Sequence, residues 1–256
     1  MPFDRKVFFD SVRPSLFGGS LSQGQVDGMN FKVDQWRDKM YSRDPRHAAY
    51  CFATSYHETG AMMVPVREGF CKTDAEAREY VRKNGYAYAE VDPVTGEVYY
   101  GRGDIQTTWS DNYKKSGQKT GRGDSLYLNP ELMLDAKISA DCLFQGMFEG
   151  WYRASSDGKR QTLIRYFNDT TDDPYGAREI VNGDKSKVPS WSNGVSIGNL
   201  IKGYHNKFLT AIEEAWTEEI PPKPEPIPDK NLVMVRIDGP ENIRVVVMLN
   251  GEQIGA

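Results

Sequence analysis

The chain has 256 residues, enough for one large domain or for one domain with an appendage. With 39% hydrophobic and 27% charged residues it has the composition of an ordinary globule, and a net charge of −4 without a basic block excludes nucleic acid as an expected partner. No apolar run approaches the roughly 20 residues that span a bilayer, and the scattered Cys51, Cys71 and Cys142 argue against a disulfide framework.

At the N-terminus, MPFDRKVFFDSVRPSLFGG sets charges among its apolar residues, so it lacks the apolar stretch of a secretory signal. Synthesis in a reducing compartment is the expectation. Residues 1–216 read as mainly helical. Asp44-Pro45 makes an N-cap and first-turn pair, and Ala49, Phe52, Ala53 and Tyr56 follow at i, i+3, i+4, i+7, which predicts a helix with one buried face. Gly60 ends it and leaves His57 and Glu58 in the last turn. Between Gly60 and Pro130 the periodicity fails, giving an irregular, Gly-, Tyr- and Asp-rich region where a cleft is expected. A second helix is predicted after Asn129-Pro130, with Ala140, Phe144, Met147, Phe148 and Trp151 on one stripe. A third, Ser196 to Trp216, carries Ile197, Leu200, Ile201, Tyr204, Phe208 and Ile212 at the same spacing. Residues 217–230 contain IPPKPEPIPDK, a semi-rigid extended spacer. Beyond it, NLVMVRI and NIRVVVMLN flank Asp238-Gly239-Pro240 and read as a β-hairpin tail over 231–256. A lone hairpin is marginal in water, so this tail is expected to pair with a partner, another copy or the main domain.

Several chemistries are excluded by spacing. His57-Glu58 begins like HExxH but no second histidine follows, and with three histidines and no CxxC neither a metal site nor a cofactor is expected. No GxSxG elbow occurs. GRGDIQ completes neither GxGxxG nor a Walker loop. GRGD occurs twice, at Gly101–Asp104 and Gly121–Asp124, and a tripeptide as short as RGD carries little weight for cell adhesion. Carboxylates remain. Glycoside hydrolysis needs one carboxylic acid to protonate the leaving oxygen and one carboxylate to steer water or attack. Glu58, at a helix C-terminus where the dipole disfavours ionisation, suits the acid if it is partly buried. Spacing alone leaves Glu68, Glu76, Glu79 and Glu90 open for the second role.

The motifs then become recognisable as a set. HETG (His57–Gly60), a glutamate ten positions on in VREGF, YYGRGDIQTTWSDNY (Tyr99–Tyr113), LNPEL (Leu128–Leu132) and AREIVNG (Ala177–Gly183) occur in that order. Together they resemble the family 19 glycoside hydrolases, the chitinases and the related peptidoglycan-cleaving endolysins of phages, from about Phe3 to Trp216. The resemblance implies a mainly α, lysozyme-like α+β domain with a deep substrate cleft, Glu58 as general acid and Glu68 as base, ahead of Glu79. It further implies that Thr108 helps hold the attacking water and that Gln106, Asn112 and Asn182 reach substrate. Tyr100 would stack on a sugar ring, and the glycines of Tyr99–Tyr113 would let the backbone approach the sugar closely.

The chain departs from the family pattern in three places. Gly183-Asp184 replaces Gly-Gly, Asp104 is expected to add a charge near the cleft, and no arginine follows the asparagine motif to pair with the base. The reading that results is an inverting glycosidase of the endolysin kind, held in the host cytoplasm until it reaches the wall and acting on peptidoglycan glycan strands. A chitinase, or a non-catalytic virion or wall-binding protein on the same fold, is the alternative. Glu58 and Glu68 are expected to face each other roughly 6.5–9.5 Å apart, the intervening loop anchored by Met62, Met63, Val64 and Val66.

Overall fold

The computed structural model describes residues 3–216, except 40 and 157, together with the backbone of three C-terminal strands. The chain divides into two compact units, Met1–Thr217 and Glu218–Ala256. The first is mainly α. Its helices are α1 (Arg5–Leu16), α2 (Gln23–Lys39), α3 (Pro45–Glu58), α4 (Asp74–Lys83), α5 (Ser110–Lys119), α6 (Ser125–Leu128), α7 (Ala136–Glu149), α8 (Leu163–Tyr166) and α9 (Ile197–Ala215). Two short antiparallel strands, β1 (Val66–Arg67) and β2 (Arg102–Gly103), pair Val66 with Gly103 and Arg67 with Arg102. In the second unit, β3 (Met234–Asp238), β4 (Arg244–Leu249) and β5 (Glu252–Gly255) form an antiparallel sheet in that order. The third strand is absent from the sequence reading. The expected spacer at 217–230 and the Gly-Pro turn after Asp238 lie outside the described residues.

The centre of the first unit is α3. Asp44 caps it, its carboxylate accepting from the Arg46 N–H at 2.9 Å, and Pro45 presets the first turn. Burial runs from His47 to Ser55 without a break, so the helix is enclosed on all sides rather than along one stripe. It packs on α9 and α7, and α1 packs on α9. Phe52 meets Phe8 of α1, Phe144 of α7 and Phe208 of α9 with ring centroids 6.0, 6.4 and 5.6 Å apart. The amide of Asp4 bonds the carbonyl of Ala215, tying the start of the unit to the end of α9.

Two boundaries differ from the expectation. The segment after Pro130 first makes a 3-10 turn, Pro130–Leu134, and α7 starts only where Asp135 caps the amides of Lys137 and Ile138. It stops at Glu149 because Gly150 turns left-handed, which leaves Trp151 beyond the helix. The stretch from Gly60 to Pro130 is also more ordered than its composition suggests, since α4 is set by a capping box between Thr73 and Glu76 and α5 follows Trp109. Among the described residues, no helix is long and apolar enough to cross a membrane.

Candidate active site

A cleft of about 560 Å3 opens between the end of α3, the turn after β1, the start of α5 and the loop after Arg178. It brings together Glu58, Glu68, Gln106, Thr108, Asn112 and Asn182. Glu58 is the last residue of α3. The helix ends because the Thr59 hydroxyl bonds the Ser55 carbonyl at 2.6 Å and accepts from the Met63 amide, while Gly60 turns left-handed. Of the four apolar residues expected to anchor the return loop, Met63 is fully buried, its carbonyl lying against Gly28 of α2 and accepting from Lys32 Nζ at 2.7 Å. Met62 is exposed. The loop then reaches a 3-10 turn, Glu68–Phe70, and the Phe70 ring lies so close over Gly60 that no Cβ fits there. Phe70 thereby fastens the turn that carries Glu68 to the end of the helix that carries Glu58.

Each oxygen of Glu68 has a donor. The Tyr88 hydroxyl bonds Oε1 at 2.6 Å and the Gly101 amide bonds Oε2 at 2.8 Å. Burial and this hydrogen bond to Glu68 both push the Tyr88 phenol well above its ordinary pKa, so it stays a donor. Two of the competing glutamates are occupied elsewhere, and the third, Glu90, does not line the cleft. Glu79 pairs with Arg82 and Lys83, which hold it down at about 2, Glu76 caps α4, and neither lines the cleft.

Glu58 meets a partner that spacing did not indicate. Arg178, itself buried, donates to Glu58 Oε1 and to Asp184 Oδ1, the latter at 2.7 Å. Burial works against the charge of Arg178, yet Glu58 and Asp184 raise its pKa above the ordinary value. Burial would raise Asp184, but the hydrogen bonds and charge of Arg178 hold it below the usual carboxylate range. The arginine of this site thus precedes the asparagine motif and serves Glu58, while among the described residues no arginine donates to Glu68. Asp184 completes the bridge. Burial pushes the neighbouring His57 below the ordinary imidazole value.

The wall formed by residues 99–113 departs from expectation at several points. Tyr100 is fully buried and does not reach the cleft; its ring carries the Arg102 guanidinium 3.5 Å from its centroid and its hydroxyl donates to Asp74 at 2.8 Å. The stacking role assigned to it is therefore corrected. The aromatic side chains lining the cleft are Phe70, Tyr88, Trp109 and Tyr152, and Trp109 is half-exposed. Phe70, Gln106 and Trp109 all have positive φ, of 56°, 51° and 71°, a strained conformation that the surrounding packing must hold. The Gln106 amide nitrogen donates to the carbonyls of Val66 and Gly103, so half of that side chain is spent joining β1 to β2. Asn112 donates to the Thr108 carbonyl at 2.9 Å, and exposed Asn182 accepts from the Gly183 amide. At Gly101 a Cβ would stand 2.8 and 3.2 Å from Gln106 Oε1 and Glu68 Oε2, so these side chains leave no room for one.

Asp104 is not a cleft charge. It pairs with Lys32 at 2.7 Å, both side chains being at most 2% exposed, and accepts from Ser55 and Ser139. Ser55 lies three residues before Glu58, so this buried pair fixes the end of α3 against the wall. Among the described residues, no group of three or more His, Cys, Asp and Glu side chains gathers to hold a metal ion.

Residues 37–160 match the family 19 glycoside hydrolase model described as Chitinase class I. That segment holds Glu58, Glu68, Gln106, Thr108 and Asn112 and stops before Arg178 and Asn182. Chitinase 3 of Oryza sativa subsp. japonica is 28% identical over 163 residues, covering 55% of this chain and 49% of that protein. The chain thus spans about half the length of this curated relative. Among solved structures, chitinase C from Streptomyces griseus HUT6037 aligns over 83% of this chain and 92% of its own, at 19% identity and a TM-score of 0.44. A bacterial family 19 chitinase aligns over 82% and 94%, at 18% identity and a TM-score of 0.42.

Proposed function

We propose, from the match of residues 37–160 to the family 19 glycoside hydrolases, that the chain hydrolyses a β-1,4-linked N-acetyl-sugar polymer, the glycan backbone of peptidoglycan. The observation that carries this reading is the convergence of Glu58 and Glu68 on one cleft, each held by its own donors. Glu58, steadied by Arg178, gives its proton to the glycosidic oxygen as the C–O bond breaks. Glu68, held by Tyr88 and Gly101, takes a proton from the water that attacks the anomeric carbon from the opposite face. The hydroxyl of Thr108 shares that water, and the product is inverted. Replacement of Glu58 by Gln keeps the shape and removes the acid, so lysis should fall roughly 10²-fold or more. Near-normal lysis by that variant would end the assignment.

A chitinase is the second reading, favoured by the description of the matched family and by the rice relative. Both polymers repeat the same linkage and N-acetyl group, so the carboxylate pair serves either. Clearing of purified wall and of glycol chitin, measured side by side with the full chain, separates them. All three cysteines are unpaired, which suits an endolysin kept in a reducing cytoplasm until it reaches the wall. Fractionation before lysis should then find it among soluble cytoplasmic proteins, and export would contradict this.

A further inference from the structure

A second cavity, of about 180 Å3, lies beside the cleft, and the two share Tyr88 and Trp109 as walls. Its lining adds the apolar Val91 and Pro93 and the carboxylates of Glu90 and Asp92, and among the described residues no cation lines it. Asp92 is occupied, accepting from the amides of Val94 and Thr95 at 2.9 and 3.0 Å and from the Tyr127 hydroxyl at 3.1 Å. Glu90 differs: it is exposed and makes no ion pair among the described residues. Val91 is also 61% exposed, an apolar side chain turned to solvent beside a free carboxylate. Trp109, with its positive φ, stands between the two spaces.

A linear, uncharged sugar polymer running through the cleft brings no cation to this acidic recess. A branch on one of its sugars would bring one. We propose that this recess binds a short peptide branch bearing a free amine, attached to a sugar seated in the cleft, with Glu90 pairing with the amine and Val91 and Pro93 covering the apolar part of the branch. The inference deepens the wall-glycan reading and rests on it. Charge complementarity commits it to a cationic branch rather than to a further neutral sugar.

The test uses the full chain, its Glu90→Gln and Glu90→Lys variants, and four substrates: purified wall, the same wall with its peptide amines acetylated, wall glycan stripped of peptide by an amidase, and a soluble chitin oligosaccharide. As Glu90 is exposed, both variants should melt with the parent. On intact wall Glu90→Gln should lower kcat/KM about two- to five-fold, the scale of one solvated ion pair, and Glu90→Lys should lower it further. Acetylation should lower the parent by the same factor and leave Glu90→Gln unchanged, while stripped glycan and chitin oligosaccharide should be cut equally by all three. Equal rates on intact wall, or a loss on stripped glycan as large as on intact wall, would overturn the recess while leaving the wall reading in place. A parent that cuts only the chitin oligosaccharide would overturn both.

Discussion

At 101–104 the sequence GRGD lies inside the domain, and at 121–124 the same four letters form a surface turn. In the first copy Arg102 is fully enclosed, reaching Asp74 at 3.0 Å and Glu131 at 2.8 Å, and Asp104 is buried on Lys32. In the second, Arg122 meets Asp141 at 3.2 Å and the Thr120 carbonyl, Gly121 has open space beside it, and exposed Asp124 precedes α6 without a side-chain cap. The local string is identical, so the difference comes from what packs across it. The first copy sits where α2, α3, α7 and the cleft wall converge, and each of its charges meets opposite charges brought from distant positions. Neither buried Arg102 nor buried Asp104 can be read by an adhesion partner.

The largest contrast should appear in stability. Removing one member of a buried ion pair strands the other, at a cost of about 3–5 kcal/mol. Asp104→Ala, which leaves Lys32 without its counter-charge and two serine hydroxyls without their acceptor, should lose that much in denaturant unfolding. Asp124→Ala should stay within about 0.5 kcal/mol, as surface changes usually do. If the two variants unfold alike, burial is not what separates the copies.

Glycine at the head of each copy gives a smaller and qualitatively different contrast. Gly121 has φ +73°, so Gly121→Ala should cost about 1 kcal/mol of backbone strain and leave hydrolysis untouched. Gly101 lies outside the left-handed region but abuts Glu68 and Gln106. Gly101→Ala should push the Glu68 carboxylate aside and lower kcat roughly ten-fold or more, as small misplacements in a catalytic pair do, with little change in melting. A drop in stability without a drop in kcat would mean that Glu68 is not held from this side.

The same logic explains how far the sequence could be read. Helix α3 was legible because its signals are local: a cap, a first-turn proline and apolar spacing, all within one stretch. Glu68 and the residues of the wall were legible through their motifs, and the choice against Glu79 follows from surface pairing that lies within one helix turn. What could not be read depends on contacts between distant residues. Arg178 and Glu58 are 120 positions apart, and nothing local marks that arginine except its place four residues before Asn182. Tyr100 was misassigned because a tyrosine in a cleft motif reads as a platform, whereas its ring is covered by an arginine two residues on in the same wall. Two of the aromatic residues that do line the cleft, Phe70 and Trp109, have positive φ values that no periodicity encodes. The all-round burial of α3 was likewise hidden, since Ala48, Tyr50 and Cys51 are buried on faces that the apolar stripe leaves out.

The smallest effect concerns the carboxylates that hold Arg102 in the first copy, and it is read by pH. Burial would raise Asp74 and Glu131, but hydrogen bonds from Tyr100 and Arg78 to the first, from Arg67 and Arg102 to the second, and the arginine charges hold both below their ordinary values of 3.8 and 4.5. A carboxyl whose pKa is depressed by folding binds its proton more readily in the unfolded chain. Its contribution is therefore present above the unfolded value and is lost as pH falls through the folded one. Stability should accordingly decline below about pH 4.5, a slope that Glu131→Gln should reduce because the amide takes up no proton. At neutral pH that variant should cost only about 1 kcal/mol, since the Glu131 side chain is 33% exposed and its pairing is screened. Unfolding by denaturant at a series of pH values between 6 and 3 would measure both. An undiminished slope in Glu131→Gln would place the acid sensitivity elsewhere than at the carboxylates that hold Arg102.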